Sequence, residues 1–346
     1  MMTARQEVTP AATCVAIDIA KRTHAVLIET SDGKQRRFRM ASTHEDHQRL
    51  VDLLRTCPAP VRVAMEATGD YHRTLAYRLL REGFEVCLVS SMSAARYREA
   101  VFNSWDKNDP KDAGVILALL KQGITQRFVD PLMAGHHGLQ ELSKTHYQIS
   151  LARTRLQHSL LTHYLPLYFP EVERYFCTTQ AAWFAQFLLR FPTAASIRVL
   201  SFQAFEREAW GIVGRKVNKR VWIRELYDAA CTSVGLPIAD DDIALDTFRL
   251  QLRRYQQLIE QRDTLVETAR GVLQGRTDYE ALCSLPGVGP VLALTILAEA
   301  GDLRRFAHHR QFLKYCGLDL AKCQSGQFRG QEKLSKRGNA CLRFAF

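Results

Sequence analysis

The sequence predicts a mixed α/β domain at the N-terminal end and an all-α remainder, and three observations predict it. Short apolar runs of strand length alternate with helical periodicity over 14–121. Long amphipathic stretches with little Gly or Pro cover 139–168 and 245–273. A glycine hairpin, Leu285-Pro286-Gly287-Val288-Gly289-Pro290, then separates two apolar helical stretches, 279–284 and 291–300. At 346 residues and 47% hydrophobic the chain can bury a full core, and at about 150 residues per domain it holds two or three domains.

In the first part, 14–20 and 24–30 read as strands. Ser31-Asp32-Gly33-Lys34 is a hairpin signal before a third strand at 36–40. A helix at 44–54, a strand at 61–65, a helix at 71–81, a strand at 85–89 and a helix at 110–121 follow. This β-β-β-α-β-α-β-α order is that of an RNase H-like domain, expected over 10–130. The middle, 139–275, reads as long helices. Leu245, Phe248, Leu252, Tyr255, Ile259, Val266 and Leu273 approximate one stripe, which suits a helical hairpin or a dimerising coiled coil. Within it, 176–237 is rich in Phe and Trp with several weak breaks and reads as a helical insertion. The glycine hairpin opens a third domain, 276–346, as a helix-hairpin-helix.

Lys and Arg number 47 against 36 Asp and Glu, a net charge of +11, so a polyanion is the natural partner, bound through counterion release without sequence information. Basicity alone does not separate DNA from RNA or an anionic membrane. The nine cysteines form no C-x-x-C pair, so neither a zinc ribbon nor a redox motif is visible, and they read as reduced thiols of a cytoplasmic protein. The N-terminal stretch has no apolar signal-like core. No apolar run reaches the roughly 18 residues of a membrane span.

Asp18 and Glu66 each stand at the end of an apolar strand, in Val15-Ala16-Ile17-Asp18 and Val63-Ala64-Met65-Glu66. In Asp109-Pro110-Lys111-Asp112, Pro110 fits the first helical position and Asp109 the N-cap, which leaves Asp112 on the same side one turn on. Four such carboxylates suit magnesium, which takes oxygen ligands. Two ions about 4 Å apart clamp an in-line phosphoryl transfer. Read singly, Asp109 and Asp112 also fit a helix cap, and Asp106 competes one turn earlier. Gly287 and Gly289 free backbone amides for a phosphate oxygen. Downstream, ten basic residues, among them Arg305, Lys333, Lys336 and Arg337, face three acidic ones. Ser325 lies among them between Gln324 and Gly326; a serine is a poor nucleophile without a base, metal or cation beside it.

Together, Asp18, Glu66, Asp109-Pro110-Lys111-Asp112-Ala113, Leu285-Pro286-Gly287-Val288-Gly289, Arg305-Phe306, Tyr315-Cys316-Gly317-Leu318, Ser325-Gly326 and Ser335-Lys336-Arg337-Gly338-Asn339 with Leu342-Arg343 resemble the DEDD transposases of the IS-one-ten insertion-sequence family, which are related to the Piv DNA invertase. The resemblance implies a RuvC-like N-terminal domain whose Asp18, Glu66, Asp109 and Asp112 bind magnesium, or manganese in its place. It implies a coiled-coil middle and a C-terminal transposase domain in which Ser325 attacks the DNA backbone to give a phosphoserine linkage. It further implies a homodimer or homotetramer acting on insertion-sequence ends and target DNA, a structured noncoding guide RNA in some members, and a bacterial, nucleoid-associated location with no membrane partner. Family members continue past Leu342-Arg343, so an end at Phe346 reads as an interrupted helix and a truncated copy. Two alternatives remain open at this stage: a RuvC-like hydrolytic junction nuclease with water as nucleophile, and an inactive DNA-binding copy. An actin-like ATPase would need glycine-rich phosphate loops, and only Thr68-Gly69-Asp70 offers one.

Overall fold

The computed structural model of the chain describes residues 13–102, 109–179, 182–214, 218–321, 324–325 and 328–346. The chain divides into two compact units, Met1–Gly135 and His136–Phe346.

In the first unit, β1 (Thr13–Asp18), β2 (Thr23–Glu29) and β3 (Gln35–Ala41) pair antiparallel in succession. The expected hairpin turn joins the last two, with Gly33 at φ 81, a left-handed angle that glycine adopts without strain. Next come α1 (His44–Arg55), β4 (Val61–Glu66), α2 (Arg73–Arg81) and β5 (Glu85–Val89). β4 lies parallel to β1, and β5 parallel to β4. α1 starts where expected because Thr43 accepts a hydrogen bond from the Asp46 amide. α3 (Ser91–Phe102) was not foreseen: its apolar residues are scattered around the helix, so periodicity gives no signal. α4 (Asp109–Lys121) and a two-residue β6 (Gln126–Arg127) complete a sheet of order β3-β2-β1-β4-β5-β6.

Alternation sorts the strands into two faces. Val15, Ile17, Val63 and Met65 pack with Leu50, Leu54, Leu75 and Leu79 of α1 and α2. Cys14, Ala16, Leu27, Ala64 and Cys87 pack on the other face with Ala94 of α3 and Val115, Ile116, Leu119 and Leu120 of α4. The sheet is buried on both sides, which is why β1 and β4 read as continuous apolar runs.

In the second unit, α5 (His137–Ser159) passes through a π-helical turn, Leu160–Tyr164, into α6 (Leu165–Tyr168). Pro166 has no amide to give the preceding turn, and the ladder widens just before it. The stretch expected as one insertion is a bundle of short helices: α7 (Glu173–Thr179), α8 (Ala182–Arg190), α9 (Ala194–Arg198), α10 (Phe202–Ile212) and α11 (Lys219–Cys231). The weak breaks in its sequence are N-caps, since Thr193, Ser201 and Asn218 each accept an amide of the helix they start. α12 (Ile243–Leu273) returns along α5. Leu139 clusters with Ala269 and Leu273, whereas Leu156 clusters with Leu252, Tyr255 and Ile259, so the two helices run antiparallel. The apolar stripe of α12, apart from the half-buried Val266, is thus buried within the chain itself. Its partners there are Phe176, Phe184, Phe187 and Phe191 of the bundle.

The end of the chain carries α13 (Thr277–Cys283), α14 (Pro290–Ala300), α15 (His309–Cys316), the paired two-residue strands β7 (Leu320–Ala321) with β10 (Lys333–Leu334) and β8 (Gln324–Ser325) with β9 (Phe328–Arg329), and α16 (Ala340–Ala345). Gly287 turns the chain at φ 86 and Pro290 opens α14, as a helix-hairpin-helix requires. Among the described residues no helix is long and apolar enough to cross a membrane.

Burial holds the imidazoles of His24, His47 and His72 below their usual range; at His47 the neighbouring His24 and Arg78 act in the same direction. His24 and His47 stack with ring centroids 6.1 Å apart. Unfolded imidazoles take up protons below a pH of about 6.5 that the folded ones refuse, so this contribution to stability is present above that pH and is lost as the pH falls toward the lowered folded values. Hydrogen exchange of the β1 and β2 amides should therefore quicken between pH 7.5 and 5.5, after correction for intrinsic exchange, and His47→Leu should make the change shallower. An unaltered pH dependence in that variant would assign it to other groups.

Candidate active site

The site is built by the way α4 lies across β1. Lys121, its last residue, donates to Glu29 at 2.5 Å, and Glu29 is the β-partner of Cys14 near the start of β1. With its C-terminal end fixed there, a helix of 13 residues rising 1.5 Å each spans about 20 Å, close to the length of the six-residue strand beneath it. The first turn of α4, with Asp109 and Asp112, therefore comes to the Asp18 end of β1.

The sheet register brings Glu66 to the same point. Ile17 is the partner of Met65 in the parallel pair, so the next position sets Asp18 beside Glu66. Both belong to the Cys14, Ala16 and Ala64 face that α4 covers. Adjacent strands lie about 4.8 Å apart, which allows two carboxylates to share one cation. The same row continues outward, because Asp18 pairs with Ala25 and Ala25 with Arg39. Arg39 thus shares the carboxylate face about two strand spacings from Asp18, and Arg37 shares that face two residues along, in the row of Ala16. The sequence reading missed this pair, although the alternation Arg37-Phe38-Arg39-Met40 carries the signal: Phe38 and Met40 pack with the core of the opposite face.

Asp112, another of the expected ligands, is held in an ion pair. It is only 2% exposed, and Arg98 of α3 binds its Oδ1 through Nε at 2.7 Å and Nη2 at 2.5 Å. Its charge is spent on a buried ion pair that ties α3 to α4. No sequence signal pointed to Arg98, since α3 itself was not foreseen. The side chains of Asp109 and Ser325, and all of Asp106, lie outside the described residues. Among those described, no group of three or more His, Cys, Asp or Glu could hold a metal. The fit to a divalent cation thus rests on the all-oxygen pair Asp18 and Glu66, with the first turn of α4 at their end of the sheet.

In the second unit, a Cβ on Gly287 or Gly289 would meet nothing within 4 Å. Neither glycine is there for packing, and the backbone at the start of α14 is open. Gly289 caps α14 with no side-chain acceptor, which leaves the first-turn amides available to an anion. Lys333, Lys336 and Arg337 are exposed. Arg305 is differently engaged, with its guanidinium 4.6 Å from the Phe306 ring centre and 4.8 Å from that of Tyr315. Ser325 lies on β8 as the partner of Phe328.

The two remaining glycine motifs meet each other. Lys336 and Asn339 donate backbone bonds to the carbonyls of Gly317 and Tyr315 at 3.0 and 2.7 Å, and the Arg343 guanidinium donates to the Cys316 carbonyl at 3.2 Å. A Cβ on Gly338 would fall 2.3 Å from the Gly317 nitrogen and 2.4 Å from the Tyr315 carbonyl oxygen, so only glycine allows this approach.

Comparison with known proteins finds the same two ends. A family model for DEDD transposases of the IS110 type matches residues 15–170, and one described as transposase IS116/IS110/IS902 family matches residues 279–346. The chain belongs to the IS110 family of transposases. The transposase is 26% identical over 315 residues to a Streptomyces coelicolor protein named as the mini-circle transposase for IS117, covering 87% of this chain and 74% of that protein. It is 25% identical over 299 residues to a Pseudomonas aeruginosa family 20 transposase, covering 84% and 70%. RuvC of T. thermophilus, solved in complex with a Holliday junction substrate, matches 34% of this chain and 99% of its own at 14% identity and a TM-score of 0.24. The RuvC-like assignment of the transposase's N-terminal unit rests on its sheet order and on the family match.

Two outcomes follow for the transposase. Arg98→Met leaves the Asp112 charge buried and unpaired and should cost about 3–5 kcal/mol, and adding Asp112→Leu should return part of it; urea denaturation of both variants checks this, and a cost below about 1 kcal/mol for the single change would refute the pairing. Gly338→Ala should destabilise the C-terminal segment by the upper end of the ~1–3 kcal/mol typical of overpacking, visible as earlier proteolytic cleavage there, whereas Gly289→Ala, which meets open space at an ordinary φ, should not.

Proposed function

We propose that this transposase cuts and rejoins the DNA strands of an insertion sequence with a serine nucleophile assisted by a carboxylate-bound divalent cation. The observation that carries the reading is the convergence of Asp18, Glu66 and the first turn of α4 at one end of one sheet face. Asp18, Glu66 and Asp109 would hold magnesium, with manganese as its substitute, and Asp112 would act with them through its pair with Arg98. When bound, the cation neutralises charge that builds on the phosphate oxygens during transfer.

In the proposed reaction Ser325 Oγ bonds to phosphorus as the P–O bond to the departing sugar breaks. The sugar oxygen leaves with a proton, and the reverse attack by a second strand's hydroxyl releases Ser325 and joins the new strands. The energy of the broken linkage is retained in the phosphoserine, so rejoining needs no nucleotide cofactor. Arg37 and Arg39 on the carboxylate face, and Lys333, Lys336 and Arg337 with the open amides of α14, would neutralise backbone phosphates in their respective units. Exchange needs two DNA segments, which suits a homodimer or homotetramer on the chromosome in the cytoplasm. A structured noncoding RNA from the same element is the proposed guide, to be sought among nucleic acids that copurify with the protein and resist DNase.

The second reading, a hydrolytic RuvC-like nuclease, keeps the same carboxylates and makes water the nucleophile. Ser325→Ala separates the two: it should abolish the covalent protein–DNA adduct and strand joining while DNA binding persists, and undiminished cleavage would favour hydrolysis. Asp18→Asn should likewise leave binding intact and stop strand transfer. EDTA should abolish transfer before it weakens binding, and transfer that survives chelation would remove the metal from the proposal.

A further inference from the structure

The short-helix bundle takes part in none of the chemistry above, yet it presents an aromatic ring to solvent among cations. Trp183 and Trp222 pack against the Phe-rich core of this bundle, as tryptophan does where it can. Trp210, on the last turn of α10, is instead 43% exposed. It is also held in place. Lys219 donates to the Trp210 carbonyl at 2.7 Å and sets its ammonium 5.3 Å from the ring centre. On the inner side of the same helix Phe205 and Ala209 are fully buried. Just beyond it Gly214 abuts the Trp183 ring so closely that a Cβ would come within 2.6 Å.

The exposed ring is one wall of an open cleft of about 380 Å3 completed by Gln203, Glu206, Arg207 and Arg220, a volume in the range of small-ligand sites. Residues 203, 206, 207 and 210 share one face of α10 by helical spacing, and α11 supplies Arg220. Arg207 and Arg220 have no ion-pair partner among the described residues, whereas the nearby Arg190 and Arg224 are paired with Glu208 and Asp228. With Lys219, the cleft has three cations against the one carboxylate of Glu206. A flat π surface, flanking guanidinium groups and two hydrogen-bonding groups, Gln203 and Glu206, form what an unpaired nucleotide needs: a stacking surface, phosphate partners and acceptors for base amino groups. A base inside a duplex has both faces covered and cannot use the ring.

We infer that the Trp210 cleft binds one unpaired nucleotide of single-stranded DNA. DNA is assigned because exchange of strands between two duplexes, the reaction proposed above on which this inference rests, exposes unpaired bases at the crossover. The cleft holds such a base while the strand changes partners.

The test measures binding of the full-length transposase, in EDTA, to a mixed-sequence single-stranded DNA dodecamer, to the duplex of the same sequence, and to the matching RNA. Loss of one stacked base should make Trp210→Ala about 5- to 150-fold weaker on the single strand, with duplex binding unchanged and Trp210→Phe restoring most of the affinity. Arg207→Ala with Arg220→Ala should reduce the slope of log affinity against log salt by about 1.4 on the single strand. An unchanged single-strand affinity, or an equal or larger loss on RNA, overturns the inference. So does a shift of Trp210→Ala to a smaller species in sedimentation with DNA affinity intact, which would make the face a contact between copies. Because neither metal nor Ser325 is needed for binding, failure of the strand-transfer chemistry would leave this result standing, and the reverse also holds.

Discussion

The alignment of α4 on β1 is the constraint on which the carboxylate end of this transposase's sheet depends. A helix laid on a sheet can slide if only apolar contacts hold it, because the contacts of Val115, Ile116, Leu119 and Leu120 with Cys14, Ala16, Leu27 and Ala64 are non-directional. A slide of one turn would move the first turn of α4 about 5 Å along the sheet relative to Asp18 and Glu66. Two polar ties oppose it, one at each end. Lys121 to Glu29 fixes the far end, and Arg98 to Asp112 fixes the near end against α3. The near tie is the stronger constraint, since it is buried and a displaced Asp112 would be left unpaired.

Legibility from sequence followed from how local each signal is. The five longer strands, the hairpin at Gly33 and α1, α2 and α4 were readable because each is specified within its own span, by an apolar run or a periodic apolar face and by local turn or helix-start residues. Asp18 and Glu66 could be named because they end apolar strands. Their adjacency is a property of register and emerges only when β1 and β4 pair. Arg98 was invisible for the same reason, in stronger form: its partner lies 14 residues away on another helix, and α3 has no clean apolar face to betray it. The short helices of the bundle failed differently. Each is 5 to 13 residues long, so its apolar face spans only a few positions, and the capping residues mark where one helix ends and the next begins.

Within the basic C-terminal segment, several cations already have partners inside the chain. Arg305 lies against two aromatic rings, Arg304 is bonded to Asp302, and the Arg343 guanidinium reaches the Cys316 carbonyl. Arg304 and Arg305 stay exposed while so engaged, and Arg310, Lys314, Lys333, Lys336 and Arg337 are exposed as well. The glycines divide in the same way. Gly317 and Gly338 are required by backbone packing within the segment, whereas Gly287 is required by its turn and Gly289 by neither packing nor its φ. A residue that nothing inside the protein requires is the one most readily explained by something outside it, and at the open first turn of α14 a phosphate is what the exposed amides would bind.

The proposed phosphate-binding groups and the Trp210 cleft differ in what they could distinguish. Glycine-turn amides and lysines recognise a backbone and cannot tell paired from unpaired strands, since both present phosphates. A half-exposed indole braced from behind can make that distinction, because the face of a base is free only outside a duplex. Trp210 is braced by Lys219 and by a buried helix face rather than by a partner of its own kind, while the other described tryptophans are used in the core. Exposing so large an apolar ring forfeits the burial that its neighbours gain, and the cleft of cations and amide groups around it gives that exposure a chemical use.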